Sequence, residues 1–357
     1  MLQTIAWTGQ AVRLLDQTRL PAQTVYIDIT SERQMWDAIK RLAVRGAPAI
    51  GVAAAFGVYL AVRDYRGSEL LGLYERLNAA ADHLGTCRPT AINLFWALDR
   101  IRRVSRDVGR DTSDLQSAQA IDLIKQRILS ECLAMIDEDN RVCRAIGEHG
   151  LKLLEAITHR PIEILTHCNA GGLATVQYGT ALAPVYLAAE RGIPVHVWCD
   201  ETRPLLQGSR ITAFELKENK IPATVICDST AAAVMREGRV HAVIVGTDRV
   251  AGNGDVANKI GTLSLAIVAR HFGVPFYVAA PISSIDLSIV SGEQIPIEQR
   301  DPREVSHGMG KATAPEGADI YNPAFDVTSA ELVSAIITER GALRPPYGAA
   351  LAALRGE

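Results

Sequence analysis

Ile162-Glu163-Ile164-Leu165-Thr166-His167-Cys168-Asn169-Ala170-Gly171-Gly172 reads as one buried strand that ends in a polar, glycine-bearing turn. Four more short apolar runs rich in β-branched residues follow, at 194–198, 223–226, 242–246 and 275–280. Each of the first four runs of the series is followed by a loop and a helix-length segment. That alternation predicts βαβ units around a buried parallel sheet, a doubly wound (Rossmann-like) α/β domain. Ligands in such sheets bind outside the carboxyl ends of the strands, so chemistry is sought in the residues just after each run.

Those residues are His167-Cys168-Asn169, Cys199-Asp200-Glu201-Thr202-Arg203, Cys227-Asp228-Ser229-Thr230 and Thr247-Asp248-Arg249. Asp200, Asp228, Asp248 and Cys168 are thereby aimed at a common crevice. Capping the next helix competes with chemistry for Asp200, and it is the ordinary role for Asp228-Ser229-Thr230. Asp248 differs because 250–255 reads as a flexible loop, so no helix follows for it to cap. Cys168 is read at the start of an apolar helical segment, Leu173 to Leu187, where the dipole favours a thiolate. A metal held by His167 and Cys168 is disfavoured, since adjacent side chains of a strand point to opposite faces.

Toward the N-terminus the texture changes. Residues 4–30 read as short strands around turns, Ser31-Glu32-Arg33-Gln34 as a helix start, and 47–65, 68–84, 90–106 and about Leu115 to Leu154 as helices. A length of 357 residues suits two domains at roughly 150 residues each. The expected division is a smaller N-terminal domain of short β-strands and helices, 1–145, and the α/β domain, 146–357. Beyond the last core run, 295–300 reads as an edge strand with Pro296 forfeiting a ladder donor, and 329–339 as a closing helix.

A net charge of -3 lacks the basic excess of a nucleic-acid binder. The uncharged stretch between Arg45 and Arg63 is too short and glycine-rich for a membrane span and reads as a buried helix. No secretory leader is apparent, and six scattered cysteines without a CxxC pair suit reduced thiols in a cytoplasmic protein. Phosphate binding is suggested three times. Asn258-Lys259 stands at the start of the helix from Thr262, where amides welcome an anion, and Arg45-Gly46-Ala47-Pro48-Ala49 and Arg88-Pro89-Thr90 pair a guanidinium with bare amides. Together they predict a phosphorylated substrate held between the domains.

At these residues the chain resembles the S-methyl-5-thioribose-1-phosphate isomerase family, grouped with the regulatory subunits of translation initiation factor 2B and with ribose-1,5-bisphosphate isomerase. The resemblance is carried by Arg45-Gly46-Ala47-Pro48-Ala49-Ile50-Gly51, Cys87-Arg88-Pro89-Thr90-Ala91-Ile92-Asn93-Leu94, Thr166-His167-Cys168-Asn169-Ala170-Gly171, the segment Asp200 to Gly208, Gly246-Thr247-Asp248-Arg249 and Asn258-Lys259-Ile260-Gly261-Thr262. It implies conversion of 5-methylthioribose 1-phosphate to 5-methylthioribulose 1-phosphate in methionine salvage. It also implies Asp248 as proton donor, Cys168 as the second catalytic residue, and substrate binding by Arg45, Gly46, Ala47, Arg88, Gln207, Asn258 and Lys259. No metal or organic cofactor, no nucleic acid, no membrane and a homodimer are implied as well. Activity on ribose 1,5-bisphosphate or 5-deoxyribose 1-phosphate, or a non-catalytic regulatory role, are the alternatives.

The residue types suit that chemistry. A phosphate on the anomeric oxygen blocks spontaneous ring opening, so an acid must protonate the ring oxygen, a task for a carboxyl kept protonated in a dry crevice. Hydrogen must then move from C2 to C1, either through a thiolate base or as a hydride beside it.

Overall fold

The structure, a computed structural model, describes residues 1–111, 116–308 and 310–354. The chain forms two compact units, one of Leu2–Val142 with Gly172–Gln177, the other of Cys143–Gly171 with Tyr178–Glu357 and Met1. The helix start expected near Leu115 lies outside the described residues.

In the first unit β1 (Ile5–Trp7), β2 (Val12–Leu15) and β3 (Tyr26–Ile29) make an antiparallel sheet. α1 (Glu32–Lys40) opens where Ser31 accepts from the Gln34 amide and Gln34 accepts from the Ser31 amide, a reciprocal cap that satisfies two orphan donors. α2 (Ala47–Arg63) is buried on every side from Ala49 to Val62, which is why it carries no charge between its ends. Around it pack α1, α3 (Leu70–Gly85) and α4 (Ile92–Asp111), followed by α5 (Ser117–Glu155), whose part to Val142 belongs here. Among the described residues no helix is long and apolar enough to cross a membrane.

The second unit runs β4 (Ile162–Thr166), α6 (Ala183–Glu190), β5 (Val195–Asp200), α7 (Ala213–Glu218), β6 (Ala223–Ile226), α8 (Ala231–Arg236) and β7 (Ala242–Val245). It continues with β8 (Arg249–Ala251), β9 (Val256–Lys259), α9 (Thr262–His271), β10 (Phe276–Ala279) and β11 (Ile285–Asp286). α10 (Arg303–Ser306), β12 (His307–Gly308), β13 (Lys311–Ala312), β14 (Phe325–Thr328), β15 (Ala335–Thr338), β16 (Gly341–Leu343) and α11 (Tyr347–Ala353) close it. The main sheet has the order β16-β15-β10-β7-β4-β5-β6, parallel except for β16, as the doubly wound expectation requires. From β4 the chain winds through β5 to β6, then crosses back to β7 on the other side of β4 and winds away through β10 and β15. The winding direction therefore reverses between β4 and β7, which is where a doubly wound sheet opens a crevice.

Four local expectations are corrected. The segment 329–339 is not a helix: after a turn at Ala330–Leu332 it supplies β15, a four-residue run buried throughout. A short apolar run of this kind has no periodicity to separate strand from helix. Leu173 to Leu187 is likewise not one helix, because only a 3-10 turn at Gly172–Ala174 and then α6 form. The expected loop 250–255 is instead the end of β8 and, at 252–255, the turn of the β8–β9 hairpin, in a second sheet ordered β11-β8-β9-β14. Residues 295–300 form no strand, only one bridge between Gln299 and Pro323.

Candidate active site

Cys168 and Asp248 follow β4 and β7, adjacent parallel strands with Leu165 in register with Val243. They stand at the same edge of the sheet, one on each side of the reversal. Asp248 is held by the hairpin beyond it: its amide donates to the Ala257 carbonyl at 3.0 Å, and the Thr247 hydroxyl donates to the same carbonyl at 3.1 Å. Its setting is thus a braced strand end instead of a flexible loop.

Cys168 adopts φ 63°, left-handed backbone that costs a non-glycine residue on the order of 1 kcal/mol or more and persists only where neighbours enforce it. The neighbours are threonines. The Cys168 amide donates to Thr202 Oγ1 at 2.8 Å, and its carbonyl accepts from Thr212 Oγ1 at 2.6 Å. Thr202, itself at φ 65°, is fixed in turn because its amide and that of Arg203 donate to the two carboxylate oxygens of Asp228 at 2.7 and 2.8 Å. Two expectations fall here. Only a 3-10 turn at Gly172–Ala174 follows Cys168, so the helix start expected there is not formed, and Asp228 binds the loop after β5 instead of capping its own turn.

Asp200, the last residue of β5, is no cap either. Its Oδ2 lies 2.9 Å from Nδ1 of His167, while His167 Nε2 donates to the Ile260 carbonyl at 2.8 Å. Both side chains are buried, at 1% and 2% exposure. Burial pushes Asp200 up to about 6 although His167 pulls it down. For His167 burial opposes the charge, but Asp200, Asp228 and the Ile260 carbonyl outweigh it and raise the imidazole above its ordinary value. This pair escaped the sequence reading, which took His167 only as a weak metal ligand.

Asn258 and Lys259 lie at the end of β9, buried, and not in a loop at a helix start. Lys259 donates to the Ala324 carbonyl at 2.7 Å and sits over the Phe325 ring. The amides at the start of α9, expected to receive an anion, donate to Asp326 from Gly261 at 2.7 Å and Leu263 at 3.1 Å. Gln207 is 6% exposed and its Oε1 accepts no hydrogen bond among the described residues, nor does Asp200 Oδ1. Buried acceptors of this kind call for a donor from elsewhere.

In the first unit the start of α2 keeps the features expected of an anion site. No side chain caps it, Pro48 occupies its first turn, and Gly46 at φ 94° brings its backbone against Ala174, where a Cβ would stand 2.3 Å from the carbonyl. Arg45, buried beside it, donates from Nε to Gln17 at 3.2 Å. Ala47 begins the helix, and Arg88 lies half-buried ahead of α4.

His167, Asp200 and Asp228 also bring potential metal-ligand atoms within 4.8 Å of one another. Most of their donors and acceptors are committed otherwise, Nδ1 to Asp200, Nε2 to a carbonyl, and both Asp228 oxygens to backbone amides, with Asp200 Oδ1 left over. The set is a hydrogen-bonded brace as built.

The initiation factor 2 subunit family model matches residues 43–345. A 5-deoxyribose 1-phosphate isomerase of Moorella thermoacetica is 54% identical over 96% of this chain and 94% of its own, and a methylthioribose-1-phosphate isomerase of Symbiobacterium thermophilum is 50% identical over 95% and 91%. The crystal structure of 5-methylthioribose 1-phosphate isomerase from Pyrococcus horikoshii superposes with a TM-score of 0.89 at 40% identity, over 99% of this chain and 96% of that one. A structure named translation initiation factor eIF-2B, subunit delta, from A. fulgidus gives 0.84, also at 40% identity, over 98% of both chains. With the family model spanning most of the chain and relatives half identical over nearly all of it, the chain belongs to the initiation factor 2 subunit family.

Proposed function

We propose that this chain is an aldose–ketose isomerase of a pentose 1-phosphate, converting 5-methylthioribose 1-phosphate to 5-methylthioribulose 1-phosphate in methionine salvage. The observation that carries the reading is the flanking of the sheet's reversal by Cys168 and Asp248, in a chain half identical to proteins named for isomerising 1-phosphorylated pentoses. Asp248 protonates the ring oxygen as the C1–O bond breaks. Cys168 then either takes the C2 proton as a thiolate and returns it to C1, or stabilises charge while a hydride shifts, and the C2 hydroxyl proton goes to the Asp248 carboxylate as the C2 carbonyl forms. Substrate binding is assigned to Arg45, Gly46, Ala47, Arg88, Asn258 and Lys259 for the phosphate end. Gln207 Oε1, a buried acceptor, suits a sugar hydroxyl. The reading includes a cytoplasmic homodimer that needs no metal or organic cofactor, so turnover should survive chelation and the mass by ultracentrifugation should be twice that of the chain.

A second reading, 5-deoxyribose 1-phosphate as the substrate, is favoured by the name of the Moorella relative. A third, a regulatory subunit, is favoured by the A. fulgidus structure. Turnover of 5-methylthioribose 1-phosphate against 5-deoxyribose 1-phosphate and ribose 1,5-bisphosphate separates all of these. The highest kcat/KM on the methylthio sugar supports the proposal, and no turnover of any of the three would sink it.

A further inference from the structure

His167 is buried at the carboxyl edge of the main sheet, and the roles given to Cys168 and Asp248 leave it unused. Its contacts constrain its protonation. Nε2 faces the Ile260 carbonyl, an atom that only accepts, so Nε2 carries hydrogen. Nδ1 faces Asp200 Oδ2, and an ionised carboxylate likewise requires hydrogen there. The titratable groups facing the pair are acidic: Asp200 and Glu201 from β5 and the turn after it, Asp228 from the turn after β6, and Asp326 from β14.

The ring also fills a seat that the backbone leaves for it. Gly261 has φ 103°, and a Cβ at that position would stand 2.8 Å from His167 Cε1. The turn after β9 is therefore pressed against the imidazole and hydrogen-bonded to it through Ile260. His167 adjoins Cys168 in the chain, and the carbonyl it holds follows directly on Asn258 and Lys259. One side chain thus joins the ends of β4, β5 and β9.

We propose that His167 is a positioning residue, a protonated clamp that holds the Cys168 turn in register with the segment carrying Asn258 and Lys259. Against the desolvation by burial, Asp200, Asp228 and the Ile260 carbonyl raise the imidazole pKa and so favour the charged ring. In its consequence for turnover the proposal rests on the isomerase reading, whereas the charge state of His167 does not. A displacement on the order of 1 Å of a reacting group costs about 100-fold in rate, so the clamp is expected to act on kcat more than on KM.

The test uses the full wild-type chain with 15N-labelled histidine side chains, beside H167Q and D200N. Of the eight histidines, one should stay doubly protonated above the ordinary 6.5, and its signal should vanish in H167Q. In D200N that signal should move toward a neutral ring. Both variants should lose about 100-fold in kcat with little change in KM, and the pH at which kcat falls on the alkaline side should shift in D200N. A neutral His167 in the wild-type spectrum overturns the clamp, and so does either variant turning over at the wild-type rate. A variant that does not fold leaves the wild-type spectrum to decide. If the wild-type chain turns over no pentose 1-phosphate, the isomerase reading fails by itself, and the spectrum still reports whether the clamp is charged.

Discussion

Asp248 and Cys168 are distinguishable from one another by substitution. Asn at 248 keeps the size and the hydrogen-bonding capacity of the side chain but cannot give up a proton, so Asp248→Asn should lower kcat by about 100- to 10,000-fold while the substrate still binds. Isothermal titration beside steady-state kinetics reads both quantities, and full activity would refute the proton-donor role. Cys168→Ser places a far weaker acid on the same strained backbone and should be similarly impaired. Loss of deuterium from C2 into solvent would select the thiolate-base route over the hydride route. The placement of both at a strand end was legible because each closely follows a recognisable strand. His167 and Asp200 were present in the same turns, yet their pairing depends on β4 and β5 being neighbours across 33 positions of sequence. No local pattern encodes that adjacency, and the positive φ values of Cys168 and Thr202 are equally invisible in non-glycine letters.

The elements themselves were read best where the chain repeats a strand, a loop and a helix. β4, β6 and β7, and α2 with no charge before Arg63, have composition as well as length to mark them. β15 was missed because a four-residue run buried throughout carries no period, and the β8–β9 hairpin because its Gly252-Asn253-Gly254-Asp255 turn resembles an unstructured loop. A shared turn chemistry permits either outcome. The start of α2 offers a controlled test of close packing. Gly9 and Gly46 lie in the same unit with φ 93° and 94°, but a Cβ at 9 meets nothing within 4 Å whereas one at 46 meets the Ala174 carbonyl at 2.3 Å. Gly9→Ala should cost about 1 kcal/mol of backbone strain alone. Gly46→Ala adds the clash and should cost about 3 kcal/mol or more, among the large effects for one substitution. Urea unfolding followed by tryptophan fluorescence compares them, and equal midpoints would remove the argument from close approach.

Taken over the whole chain, near-neutral charge conceals local concentrations of it, and the buried His167–Asp200 pair ties one of them to stability. A raised folded-state pKa on His167 means that its contribution is fully present below the ordinary value near 6.5 and is lost as pH rises through the folded value. Asp200, pushed up to about 6 by burial, binds its proton more readily folded than unfolded, so stability from this group also falls as pH rises between about 4 and 6. The two groups act in the same direction, and the descent continues above neutrality only through His167. His167→Gln cannot titrate there. Measured as urea midpoints from pH 6 to 9, the wild-type chain should lose more stability than His167→Gln over that interval, even though the variant starts lower because it leaves Asp200 buried without its partner. Parallel curves for the two proteins would mean that His167 is already neutral in the folded chain at pH 6.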